Sequence, residues 1–218
     1  VRDGETDQAR TSGGRKSGKA IFPVMRYHNY GHAEPEDIKA VIAYHRSIPP
    51  IENAVQESKS DFPMNIILNT IPEKATPEKI PTDKNDSVAQ GKDLFTIASC
   101  HDCHTPLEKG KFDESLAMAG GREFKMPGSV VRSANITPDK QTGIGSWTKE
   151  IFLQRFIQYR DSAQAHRTLA PGEAQTIMPW TMYATMKDED LNYIYAYIKT
   201  LQPISHSVVK FVSETAEN

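Results

Sequence analysis

Cysteine is almost absent from this chain: its 218 residues contain two, Cys100 and Cys103. That excludes the disulfide framework of small secreted domains, and two cysteines so close in sequence are rarely a structural staple. Long apolar runs are missing as well. Stretches such as Ile66-Ile67-Leu68 fall far short of the ~20 residues that span a bilayer. Charge of one sign is not in excess either. The 26 Lys and Arg nearly balance the 28 Asp and Glu, a formal net charge of −2, and without a basic excess or stripe nucleic acid is excluded as a partner. No signal-peptide pattern opens the sequence, and a start at Val1 reads as a processed form or a fragment. Proline is plentiful, with 14 residues against 38% hydrophobic and 25% charged. This is the balance of a soluble chain with long irregular stretches, long enough for one large domain or two small ones.

The two cysteines sit in Ser99-Cys100-His101-Asp102-Cys103-His104. C-x-x-C-H is the attachment signal of c-type haem. Two thiols add to the two porphyrin vinyl groups, and the intervening pair lets one helical turn set both sulfurs along the ring edge. His104 then lies where a proximal iron ligand is needed. Three other readings compete. Zinc requires two more ligands, for which His101, His104 or a distant histidine would have to serve. A thioredoxin-like pair wants a βαβ context that is not visible, and a chance match is the third. Upstream, Ser87 to Gln90 has the form of a capping box, and Gly91, Leu94 and Phe95 lead into the motif as a short helix. Gly91 would let another helix cross closely. In this order of glycine, aromatic and C-x-x-C-H, the segment resembles the first helix of class I cytochromes c.

An electron-transferring cytochrome c fills both axial positions. Downstream candidates are Met118, Met126, Met178, Met182, Met186, His166 and His206. Met178 is favoured because Pro179 fixes the backbone after it and Trp180 can wall a haem pocket. Met182 and Met186 read as core filler. After the acidic first turn Asp188-Glu189-Asp190, Leu191, Ile194, Ile198 and Leu201 form one apolar helix face, which Pro203 ends. Between these segments, Asn135 to Trp147 is turn-rich. Thr148 can cap a helix to about Tyr159 with Phe152, Phe156 and Tyr159 on one face. Trp147 reads either as a donor to a haem propionate or as a core residue.

Residues 85–203 resemble the cytochrome c subunits of membrane-associated alcohol and aldehyde dehydrogenases and related monohaem and dihaem cytochromes. The residues that carry this are Cys100 to His104, the Asn135-to-Trp147 loop, and Met178-Pro179-Trp180 followed by Lys187-Asp188-Glu189-Asp190-Leu191. The resemblance implies an all-α cytochrome c fold, one covalent haem c on Cys100 and Cys103, and His104 and Met178 as axial ligands. It also implies periplasmic or other extracytoplasmic placement, and exchange of single electrons with a dehydrogenase, an oxidase or another cytochrome of a respiratory chain. The alternative is a haem enzyme with a displaceable sixth ligand, peroxidase-like or oxidising sulfur compounds, with His166 or Arg167 near the iron.

Residues 25–50 slide onto 178–203 without a gap. Met25 falls on Met178, Tyr27 on Trp180, Tyr30 on Tyr183, Ile38 on Leu191 and Pro50 on Pro203, although Arg26 replaces the proline after the methionine. Ile38, Val41, His45 and Ile48 repeat the apolar stripe, and Pro35 suits a first helical turn. Residues 1–50 thus read as the second half of another cytochrome c domain that lacks C-x-x-C-H. The missing half belongs to a longer dihaem protein, or comes from another chain, with Met25 as axial ligand of a second haem. Otherwise the half-domain is a relic. A proline-rich linker is expected over 51–84, extended from Pro72 to Pro81, with Phe62 to Leu68 pinned to a domain surface. The haem domain is expected over 85–205 and a frayed tail over 206–218. Gly13 to Gly18 is expected to be a mobile loop.

Overall fold

The computed structural model describes residues 3–14, 17, 20–21, 25–54, 56, 59–70, 85–170, 173–174 and 176–213. The expected extended stretch Pro72 to Pro81 lies outside the described residues. The chain divides into two compact units, Val1–Ile80 and Pro81–Asn218.

In the first unit, helix α1 (Asp3–Ser12), the single turn α2 (Tyr27–Tyr30) and helix α3 (Pro35–Ser47) pack together. Pro35 stands in the first turn of α3, where its missing N–H has no carbonyl to meet. Tyr27, Ala33, Ile38 and Ile42 are buried. The buried face of α3 is therefore Ile38–Ile42. The expected stripe through Val41, His45 and Ile48 faces outward, with Val41 and Ile48 exposed. His45 has instead taken Arg10 of α1 as its partner. Gly13 and Gly14 are not part of a loose loop either. Both are buried, Gly14 bridges Ala20, and Gly13, at φ +69°, lies so close to the Tyr27 ring that a Cβ there would sit 2.8 Å from it. The apolar Phe62–Leu68 segment forms the short helix α4 (Met64–Ile67) with Phe62, Ile66 and Ile67 exposed rather than pinned down.

The second unit begins with α5 (Ser87–Ile97). Its cap is Asp86, one residue before the expected Ser87: the carboxylate accepts from the N–H groups of Val88 and Ala89 at 3.1 and 3.0 Å. A carboxylate holds these orphan donors and also suits the positive end of the helix. Ser99, in the left-handed region at φ +59°, breaks the run and starts the one-turn helix α6 (Cys100–His104) on a new axis. Two small antiparallel sheets follow. Strands β1 (Leu107–Glu108) and β2 (Lys111–Phe112) form a hairpin. Strands β3 (Glu123–Met126) and β4 (Ser129–Arg132) pair across a tight turn, and β5 (Phe211–Ser213) joins the other side of β4. The unit is thus helical, with two small sheets added to it. Helix α7 (Lys149–Ile157) is capped by Thr148, as expected, and runs into a 3-10 turn, Gln158–Arg160. The turns α8 (Ser162–Ala165) and α9 (Trp180–Tyr183) precede the last helix, α10 (Asp188–Ile198).

Helix α10 crosses α5, and the crossing explains Gly91. A Cβ at Gly91 would run into the Tyr193 carbonyl and the Tyr197 side chain, so only glycine lets the two backbones meet this closely. The face of α10 expected from its spacing is the one buried: Leu191 at 0%, with Ile194 and Ile198. Ile194 and Ile198 join Phe95, Ile144 and Phe152 in the core, and Leu94, Cys100, Trp147, Phe156, Met186 and Leu201 pack around them. Full burial of such aliphatic side chains contributes roughly 1.5–3 kcal/mol each.

Candidate functional site

The core that grips α5 also carries α6, so the spacing of the motif becomes geometry. Cys100 and Cys103 are half-buried on one helical turn, with no disulfide between them. His104 ends that turn, and its Nδ1 lies 2.7 Å from the Ala134 carbonyl. A carbonyl oxygen only accepts, so Nδ1 carries the proton and Nε2 is left with a lone pair. Burial lowers the His104 pKa below the ordinary histidine value; the Ala134 hydrogen bond opposes the shift without cancelling it. His104 is therefore a neutral imidazole with a fixed tautomer, the form in which histidine binds iron.

The loop that receives Nδ1 is itself held. Gly120 N–H donates to the His104 carbonyl at 2.7 Å, and Gly121 N–H to Ser133 O at 2.9 Å. Gly120, at φ +76°, faces Ala134 and Ser133 so closely that a Cβ would strike their carbonyls. The Arg122 guanidinium donates to the Asp102 carbonyl within the motif and lies over the Phe112 and Phe124 rings. Sequence reasoning passed over Arg122, Gly120 and Ala134, because their partners are remote in the chain.

Met178 is half-buried. Its carbonyl accepts from Trp180 N–H at 2.8 Å, and its own N–H donates to Thr176 Oγ1 at 3.1 Å. The following turn, α9, is latched to the haem-motif side by Tyr183, whose hydroxyl donates to Ala98 O at 2.7 Å. Arg160 pins the next turn, donating to Ala184 O and Met186 O at 2.7 and 2.8 Å and pairing with Asp188 at 2.7 Å. Trp180 stacks on Tyr159 at 5.4 Å with 8° between planes, and Arg155 covers it at 4.5 Å. Pro179 is exposed on the same segment.

The remaining expected residues are distributed as follows. Met186 packs on the core as filler, but Met182 is 73% exposed and fills nothing. Met126 lies on β3, and Met118 adjoins the core. His206 donates from Nδ1 to Ala119 O at 3.0 Å. His166 is exposed and Arg167 pairs with Glu173. Trp147 packs on the core, and its carbonyl accepts from the Tyr195 hydroxyl at 2.8 Å. The buried indole N–H without a partner among the described residues is that of Trp180, not Trp147.

These features fit a covalently held haem. Two half-buried thiols share a turn, the adjacent neutral histidine has its outer nitrogen engaged, a thioether lies on a pinned segment, and a buried indole donor has no protein acceptor. Zinc requires a gathered set of ligands, and among the described residues no group of three or more His, Cys, Asp or Glu side chains forms one.

A C-x-x-C-H turn delivered by one helix and sealed by a crossing last helix defines the class: a c-type haem domain. The chain belongs to the cytochrome c family, whose model matches residues 88–202, more than half of its length. Covalent haem c is therefore its cofactor. It is 25% identical to the cytochrome c subunit of the quinone alcohol dehydrogenase of Gluconacetobacter polyoxogenes, an alignment covering 93% of this chain and 45% of that protein. To the fructose dehydrogenase cytochrome subunit of Gluconobacter japonicus it is 36% identical, over 52% of this chain and 21% of the relative. To a diheme cytochrome c-type protein of Cereibacter sphaeroides it is 27% identical, over 92% and 66%. The chain thus spans less than half the length of the alcohol and fructose dehydrogenase subunits it matches. No helix among the described residues is long and apolar enough to cross a membrane.

Proposed function

We propose that this chain is an electron-transfer cytochrome, working on the periplasmic side of a membrane as part of a dehydrogenase assembly. Cys100 and Cys103 would hold haem c through two thioether bonds, His104 Nε2 would be the proximal ligand and Met178 the distal one. When bound, haem c supplies a one-electron couple. The protein supplies everything that tunes it. The neutral, tautomer-fixed His104 is a basic donor that favours the oxidised form, whereas a thioether at Met178 favours the reduced form. Trp180 Nε1 would donate to a propionate. Trp147, Pro179 and Trp180 would wall the pocket and keep water out. Filling both axial positions leaves no site for a substrate, which sets the electron-carrier reading above the peroxidase-like one. The observation that carries the proposal is the His104 Nδ1–Ala134 bond on the C-x-x-C-H turn. A dehydrogenase would be the donor, and another cytochrome or an oxidase the acceptor, through small, transient contacts.

The test joins intact mass to the absorption spectrum of acid-denatured protein. One haem added to the polypeptide mass, with its band retained, is the expected result; a bare polypeptide sinks the proposal. Met178→Ala should then leave the covalent haem in place but create an open position that binds added cyanide or imidazole. An unchanged coordination spectrum would overturn Met178.

Residues 1–50 are, in the same reading, the second half of another haem domain, with Met25 in the axial role and the linker after residue 50 leading to the intact domain. The backbone supports this. Arg26 (φ −81°, ψ 48°) and Pro179 (φ −78°, ψ 63°) have the same conformation. Tyr27 N–H donates to Met25 O at the 2.8 Å found for Trp180 and Met178. The next helices start at the matching positions Pro35 and Asp188. The missing half would come from a preceding segment or another chain. Haem-to-polypeptide stoichiometry of the native preparation tests it: more than one haem per chain, or a Met25→Ala change in one haem's ligation, is expected.

A further inference from the structure

The stretch after α10 lies beyond the family match at residue 202, yet Ile204, His206 and residues 209–213 are each bonded to the rest of the unit. Ile204 N–H donates to Thr137 Oγ1 at 3.2 Å, and the Ile204 carbonyl accepts from Asn135 Nδ2 at 2.8 Å. His206 N–H donates to Thr142 Oγ1 at 2.9 Å, and its ring to Ala119 O at 3.0 Å. Lys210 O accepts from Arg132 N–H at 2.8 Å, Val209 O from the Arg132 guanidinium at 3.3 Å, and residues 211–213 pair with β4. The expected frayed tail is a strap as far as Ser213.

What the strap holds is the loop that faces His104. Ala119 and Asn135, its two anchor points, each adjoin a residue that touches His104. Gly120 N–H binds the His104 carbonyl, and Ala134 O receives Nδ1. Asn135 is buried at 4% and spends both ends of its amide locally: Oδ1 accepts from Thr137 N–H and hydroxyl at 2.9 and 2.8 Å, and Nδ2 reaches the strap and Thr142. Ala119 and Thr137 are fully buried. Rigid backbone on both sides of Ala134 is what a short, well-aligned bond to Nδ1 requires.

We infer that residues 204–213 form a proximal strap, with Asn135 and His206 as positioning residues that hold the Ala134 carbonyl against His104 and thereby set the redox equilibrium of the iron. This rests on His104 being the proximal ligand. Donation from Nδ1 makes the imidazole a stronger donor and stabilises the oxidised state. Slackening the strap should therefore raise the potential.

The experiment uses the haem-loaded protein and the variants Asn135→Ala, His206→Ala and His206→Asn, the last placing an amide nitrogen near the lost Nδ1. Read-outs are the midpoint potential and the proton NMR shift of the His104 Nδ1–H. His206→Ala should shift the equilibrium about threefold toward the reduced form, where tenfold corresponds to 59 mV for one electron. It should also move the Nδ1–H resonance upfield, and His206→Asn should restore both. Asn135→Ala should shift further in the same sense; if it does not fold, the His206 pair decides. A His206→Ala protein with both read-outs unchanged, while amide exchange across 204–213 accelerates, would make the strap structural only and overturn the inference. His104→Ala tests the assignment beneath it: if the axial ligation survives that change, the ligand reading fails, whatever the strap does.

Discussion

The segment from Met25 to Ser47 and the segment from Met178 to Ile198 share a backbone but not a surface. Both pass from a half-buried methionine through a one-turn helix to a longer helix whose first buried position is aliphatic, Ile38 in one and Leu191 in the other. In the second, the next positions on that face, Ile194 and Ile198, are 5% and 3% exposed. Their counterparts, Val41 and His45, are exposed, as are Ala40 and Tyr44 at the positions of the two tyrosines that meet Gly91. The two methionine-to-helix segments therefore take the same turns while burying different amounts of the helix that follows. In the first segment local hydrogen bonds go with two buried aliphatics on the longer helix, Ile38 and Ile42. The crossing helix adds the burial.

The sharpest way to break this comparison is to enlarge the crossing point. Gly91→Val should destabilise the second unit by about 3 kcal/mol or more, because backbone stands where the side chain would go. Ala40→Leu, on the matching surface of α3, should change stability by under about 0.5 kcal/mol. Chemical denaturation followed by haem absorbance and by far-UV circular dichroism would separate the two units. A large loss at Ala40 would mean that a partner covers α3. Truncation comes next. Ile194→Ala should cost about 2–4 kcal/mol and Val41→Ala well under about 1 kcal/mol. Equal losses would erase the distinction.

The smallest expected difference is in acid. Thr142, through its N–H and hydroxyl, holds the Asp139 carboxyl below the ordinary aspartate range, with Gln141 and Gly143 assisting. Its contribution is present above the unfolded value and lost as pH falls through the lowered one. Burial, followed by the nearby Glu34, holds Asp37 above that range. Asp37 contributes below its unfolded value and loses that contribution as pH rises through the raised one. Between pH 5 and 3, Asp139→Asn should flatten the loss of stability of the second unit, and Asp37→Asn should remove a small gain in the first. Amide exchange resolved by residue would read both.

Much of the second unit was legible because its signals are local. The C-x-x-C-H spacing, the Thr148 cap, the acidic first turn of α10 and its aliphatic stripe each fit within a few residues, and one helical period decides them. Gly91 could be read because it lies only nine residues before the motif, on the helix that leads into it. The sheets were missed because strands of two to four residues carry no period to detect. The strap was missed because its bonds join residues up to 87 apart and involve main-chain atoms that any sequence supplies. Val208, Val209 and Phe211 were the one hint, a short β-branched and aromatic run before the end of the chain. On α3 the spacing suggested a stripe, but α1 placed Arg10 beside His45, and the buried face rotated to Ile42. The expectation of a Ser87 cap failed because Asp86, one residue earlier, offers an oxygen that also carries charge.

The crossing at Gly91 joins positions about a hundred residues apart. Closing so large a loop adds an entropic barrier that only α10 can offset. Until α10 docks, the cluster that packs on Cys100 lacks Ile194 and Ile198, so arrival of the last helix is the step that closes the core around the motif.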